Sequence, residues 1–127
     1  MKRSTKSFQI KEIIIEPGKG GCGFVKIGRR AAETLSVVNA AAYIEAEDGV
    51  CTKACVVVGS CAPTAVVCKE ASESLIGKKI DQAAIDEAVK SIDAVIAPID
   101  DVRSSAWYRR EVAPVAAGRA IAAAAGL

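Results

Sequence analysis

Asp48-Gly49 stands between two apolar-rich runs, 35–47 and 50–58, and constrains the fold more than any other dipeptide in the chain. A two-residue hairpin turn needs positive φ at its central residues, and Asp-Gly adopts that conformation with little strain. The alanines of 35–47 would suit a helix, but Val37, Val38, Tyr43 and Ile44 favour an extended strand, which the turn sends back through 50–58. On the returning strand Val50, Thr52, Ala54, Val56 and Val58 alternate with Cys51, Lys53, Cys55 and Val57, so the two sets point to opposite faces. Apolar residues on both faces predict a central place in a sheet.

Upstream, 9–16 carries Ile10, Ile13, Ile14 and Ile15 and is halted by Pro17-Gly18, which reads as a first strand ending in a turn. The next residues, Gly18-Lys19-Gly20-Gly21-Cys22-Gly23, fit the Gly-x-Gly-x-x-Gly spacing that lets a pyrophosphate approach a helix N-terminus. The context does not suit that role, because 24–28 is a short extended stretch and no acidic ribose partner follows at the expected distance. A flexible hairpin is the expected structure. Downstream, Gly59 closes the hairpin strand, and Pro63-Thr64 opens a helix expected to run to Leu75 before Gly77 ends it. Asp81 caps a second helix with Ala84, Ile85, Ala88, Val89, Ile92 and Val95 at helical spacing, and Pro98 lies beyond its end. A third is expected from about Ser104 into the alanine-rich tail, kinked or broken at Pro114. Strands first and helices afterwards predict an α+β fold, an antiparallel sheet of three to four strands covered on one face by about three helices. Residues 1–7 are expected to be flexible and 8–127 to form one domain.

Seventeen basic against fifteen acidic side chains leave a formal charge of +2, too little for a nucleic-acid binder. The chain has no histidine, which removes the usual general base and the commonest zinc ligand. No residue is expected to be catalytic and no metal to be bound. The five cysteines, Cys22, Cys51, Cys55, Cys61 and Cys68, lack any Cys-x-x-Cys pair and follow a polar start rather than a secretory leader. Reduced thiols in a cytoplasmic protein are the expectation, and no apolar stretch reaches the length of a membrane span.

Residues 100–110 pack Asp100, Asp101, Arg103, Arg109 and Arg110 beside Trp107 and Tyr108 at the start of the last helix. An arginine's planar fork pairs bidentately with a carboxylate, so this cluster is expected to tie the helix to the sheet in preference to docking a subunit.

The chain resembles, from about residue 13 to residue 123, the C-terminal domain of the flavoprotein subunit of molybdenum hydroxylases, the family of carbon monoxide dehydrogenase and xanthine dehydrogenase. The likeness rests on five elements in order: Phe24-Val25-Lys26-Ile27-Gly28-Arg29-Arg30; Asp48-Gly49 with Val58-Gly59 and Ala62-Pro63-Thr64; Leu75-Ile76-Gly77-Lys78; Asp101-Val102-Arg103-Ser104; and Tyr108-Arg109-Arg110. It implies a domain that closes over FAD held by an N-terminal FAD-binding region or subunit, with electrons arriving from a molybdopterin subunit through an iron–sulfur subunit. By the same resemblance Phe24 takes the aromatic position of a Tyr-x-Lys element near the flavin ring, and Lys26 its lysine. Arg29 and Arg30 are placed to reach a flavin or a partner, or else to form a salt-bridged strand end. The phosphate-binding N-terminal region has no counterpart here, so the chain alone is expected to bind FAD weakly or not at all and to be inactive by itself. Ala65 and Cys68 replace the family's usual proline and arginine, and Ser72 replaces an acid, which puts contacts of the first helix in doubt. A non-enzymatic interaction module that keeps the fold without the flavin is the alternative expectation.

Overall fold

Residues 7–29 and 35–127 are described by a computed structural model, so residues 1–6 of the segment expected to be flexible, and Arg30, lie outside the described residues. Four antiparallel strands form one sheet in the order β1 (Gly21–Ile27), β2 (Val38–Glu47), β3 (Val50–Gly59) and β4 (Val66–Val67). Asp48 and Gly49 take φ of 52° and 78°, as the predicted hairpin requires. Helices α1 (Lys69–Leu75), α2 (Gln82–Val89) and α3 (Ala106–Ala124) follow, giving the expected α+β architecture. Among the described residues no helix is long and apolar enough to cross a membrane.

The core lies between one face of the sheet and the helices. Val38, Ala40, Ala42 and Ile44 of β2 meet Val56 and Val58 of β3, Leu75 of α1, Ile85 of α2 and an alanine-rich stripe of α3. Complete burial of Leu75, Ile92 and Ile121 contributes about 2 kcal/mol for each side chain. Asp81 caps α2 as expected, its carboxylate accepting from the Ala84 amide at 2.9 Å.

Six expectations are corrected. The second helix ends at Val89, so Ile92 and Val95, expected within it, lie beyond it. The run 9–16 forms no strand within this chain: Ile10, Ile13, Ile14 and Ile15 are 77–83% exposed. A strand needs an edge to pair with, and the chain reaches β1 by passing across Tyr43, whose hydroxyl accepts from the Gly20 amide at 3.1 Å. The glycine run is not a flexible hairpin either, because Gly21 and Gly23 belong to β1 and press against α3. A β-carbon on Gly21 would strike the Ala124 carbonyl, and one on Gly23 the Ala120 carbonyl. The hairpin's alternation slips at a bulge, where Lys53 opposes Glu45 but Cys51 opposes Ala46. Cys51 therefore enters the core with Val56 and Val58, while Val50 stays 40% exposed.

The helix expected to open at Pro63-Thr64 begins only at Lys69. β-branched Val66 and Val67 pair instead with Val58 and Val57. Finally, Pro114 does not break α3, which runs unbroken from Ala106 to Ala124; the good helix formers around it and the anchoring of Ala113, Ala116 and Ala117 in the core hold it together. As to the central place expected of 50–58, β3 pairs with β2 along its length. Its other edge is held at the start by the amide of Cys51 on the Lys78 carbonyl, and at the end by β4.

Candidate functional site: the open face of the sheet

Strand alternation sends Gly21, Gly23, Val25 and Ile27 of β1 toward the helices and Cys22, Phe24 and Lys26 to the opposite face. Register then extends that face across the sheet: Cys22 opposes Tyr43, Phe24 opposes Ala41 and Lys26 opposes Asn39, while Tyr43 and Ala41 in turn oppose Cys55 and Val57. All three helices pack on the other side, so this face is left open. The small side chain of Ala41 between larger neighbours leaves a shallow depression of about 420 Å³, lined by Cys22, Phe24, Ala41, Tyr43, Cys55 and Val57. Phe24 stands over it 66% exposed, an unusual state for a phenylalanine in the middle of a strand.

The rim is polar. Tyr43 accepts from Gly20 and donates to Glu45, and the bond to that carboxylate raises the phenol above its ordinary pKa. The Lys53 ammonium lies 6.0 Å from the Tyr43 ring centroid. Lys26 is exposed on the same face as Phe24. Phe24 and Lys26 are thus brought together, whereas Arg29 is not: beyond the end of β1 it donates to the Val102 carbonyl at 3.4 Å. Sequence reasoning placed Cys55 and Val57 on one face but missed that Tyr43 joins them. Without the bulge Tyr43 would oppose Ala54, and no residue type signals that bulge in advance.

The dense cluster at 100–110 does structural work. Arg109 is 1% exposed and donates from Nη2 to both oxygens of Asp101 at 3.0 Å, from Nε to the Val37 carbonyl at 3.1 Å and from Nη1 to the Ile99 carbonyl at 2.6 Å. Arg103 donates to Asp101 from Nη2 at 2.9 Å and through its own amide at 2.8 Å. These bonds, Arg103 foremost, hold the Asp101 carboxyl well below the usual carboxylate range. Asp100 accepts from the Ala106 amide and Ser105 from the Tyr108 amide, so both cap the start of α3. Arg110 pairs with Asp93 at the surface.

Departures in the first helix are absorbed by packing. Ser72 is buried, donates to the Cys68 carbonyl at 2.7 Å and accepts from the Val56 amide at 3.0 Å, tying α1 to β3. Burial pushes the Cys51, Cys61 and Cys68 thiols up, which makes them poor nucleophiles. Among the described residues no group of acidic and cysteine side chains could hold a metal ion.

Residues 23–124 match the family described as CO dehydrogenase flavoprotein C-terminal domain. Over 109 residues the chain is 30% identical to the carbon monoxide dehydrogenase medium chain of Afipia carboxidovorans, covering 86% of this chain and 38% of that one. Among solved structures it is similar to the reconstituted CO dehydrogenase from Oligotropha carboxidovorans, with a TM-score of 0.80, 29% identity and coverage of 88% of this chain and 39% of that one. It is also similar to quinoline 2-oxidoreductase from Pseudomonas putida 86, with a TM-score of 0.79, 26% identity and coverage of 86% and 38%. The chain therefore spans less than two fifths of the length of these relatives.

Proposed function

The chain belongs to the CO dehydrogenase flavoprotein C-terminal domain family, and on that premise we propose that it is the flavin-covering domain of the FAD subunit of a molybdenum hydroxylase. It works beside an FAD-binding N-terminal region, an iron–sulfur subunit and a molybdopterin subunit. The observation that carries the reading is Phe24, held 66% exposed over an apolar depression on the one sheet face the helices leave open.

The open face fits part of the cofactor. An exposed aromatic ring with Val57 and Ala41 beneath it suits one side of a flat isoalloxazine. Gly18 and Gly20 lie against Tyr43, and Gly21 and Gly23 against α3, so these glycines are closed to a pyrophosphate. The phosphates belong to the partner region. FAD, when bound, supplies the redox chemistry. Phe24 and Val57 exclude water from the ring-facing surface, and Lys26 adds positive charge on the same face, which favours an electron-rich ligand. All five cysteines are free, which suits assembly in the reducing cytoplasm.

Flavin reduction in the complete complex tests the reading. Phe24→Ala and Lys26→Ala chains should fold and assemble normally yet slow the bleaching of the flavin absorbance after substrate is added. Unchanged bleaching in both variants would turn the assignment toward an interaction module.

A further inference from the structure

Segment 8–16 is a continuous stretch of apolar surface that the fold of the described residues does not use. Phe8, Ile10, Ile13, Ile14 and Ile15 are each between 77% and 90% exposed, and among the described residues no strand pairs with their backbone. In an extended conformation Phe8, Ile10 and Ile14 share one face and Ile13 and Ile15 the other. A β-branched run with apolar residues on both faces and an unsatisfied backbone is a strand in search of an edge.

The edge is not that of β1. Gly18 sits against the Tyr43 ring and the Gly20 amide donates to its hydroxyl, so Pro17–Gly20 carries the chain across the Tyr43 end of the open face and away from the free edge of β1. The family match begins at residue 23, just past this segment, while more than three fifths of the medium-chain relative lies outside the matched length. We propose that 8–16 is a strand this domain lends to the FAD-binding region, where it extends a sheet edge by backbone pairing and buries its isoleucines on both sides. This inference rests on the flavin-covering reading and adds a clamp to it: the segment emerges at the Tyr43 end of the same face that carries Phe24, so the pairing would hold the open face against the cofactor.

Amide hydrogen exchange read by mass spectrometry tests it, on the full chain alone and in the native complex purified through that chain. The amides of Ile10 to Ile15 should exchange rapidly in the free chain and slow by about a hundredfold or more in a complex that contains the FAD-binding polypeptide. Ile14→Pro, which removes a pairing donor outside the core, should weaken that association about tenfold or more and leave the thermal midpoint of the free chain unchanged. Rapid exchange persisting in an FAD-containing complex would overturn the clamp and leave the flavin reading intact. Absence of any FAD-binding polypeptide would overturn both. Protection in the free chain that grows with its concentration would assign the strand to a second copy and overturn the partner named here.

Discussion

The two faces of the sheet are built from the same strands and could hardly differ more. Toward the helices, Gly21 and Gly23 bring β1 into backbone contact with the last turns of α3, and Ala40 and Ala42 lie buried at 0% and 5% exposure. On the other side the intervening residues, Phe24 and Ala41 among them, form a depression that none of the described residues fills. Small side chains therefore mean opposite things one residue apart. Against α3 they permit close approach; on the open face they leave room. The covered face stores the stability of the domain, and the open face is free to carry function because it stores so little.

Substitutions can break that division, and the largest effect is expected where α3 is pinned to the sheet. Arg109→Met leaves the Val37 and Ile99 carbonyls unpaired and takes one of two arginines from Asp101; urea unfolding should show a loss of about 3–5 kcal/mol. Gly23→Ala sets a β-carbon against the Ala120 carbonyl and should cost about 1–3 kcal/mol by the same measurement.

A smaller effect follows from acid. The depressed pKa of Asp101, set chiefly by Arg103 and also by Arg109, means that its stabilisation is present above the ordinary carboxylate pKa of about 3.9. It is lost as pH falls below that value toward the folded-state pKa. Thermal midpoints followed by circular dichroism from neutral pH downward should drop in that acid range, and more steeply for the parent than for Asp101→Asn. The smallest effects belong to the open face: Phe24→Ala and Ala41→Val should each change stability by about 0.5 kcal/mol or less. A loss comparable to that of Gly23→Ala would mean that the open face is part of the core after all.

The hairpin was legible because Asp48-Gly49 specifies its turn from two residues alone, and α2 because Asp81 and the spacing of Ala84, Ile85 and Ala88 agree. The tie between the last helix and the sheet was legible in the chemistry of Asp101 and Arg109, though not the division of labour that makes Asp100 a helix cap. Other features depend on partners distant in sequence. Gly21 and Gly23 read as a flexible turn until the alanines of α3 are seen against them, and alternating small residues beside an alanine-rich helix were the signal overlooked. The bulge that brings Cys51 into the core and sets Tyr43 opposite Cys55 is a matter of tertiary fit that no local pattern announces. Phe24 and Lys26 were found through family resemblance, and their common face follows from alternation once β1 is placed.

The cysteines offer the most direct test that the open face is the cofactor-facing surface. Cys22 and Cys55 line its depression, whereas Cys51, Cys61 and Cys68 are buried in the core. Maleimide labelling, followed residue by residue by mass spectrometry, would compare the free chain with the FAD-loaded complex. Cys22 should label readily in the free chain and be protected in the complex, with Cys55 following it and the three core thiols inert in both. Equal labelling of Cys22 with and without the FAD-containing partner would contradict the assignment.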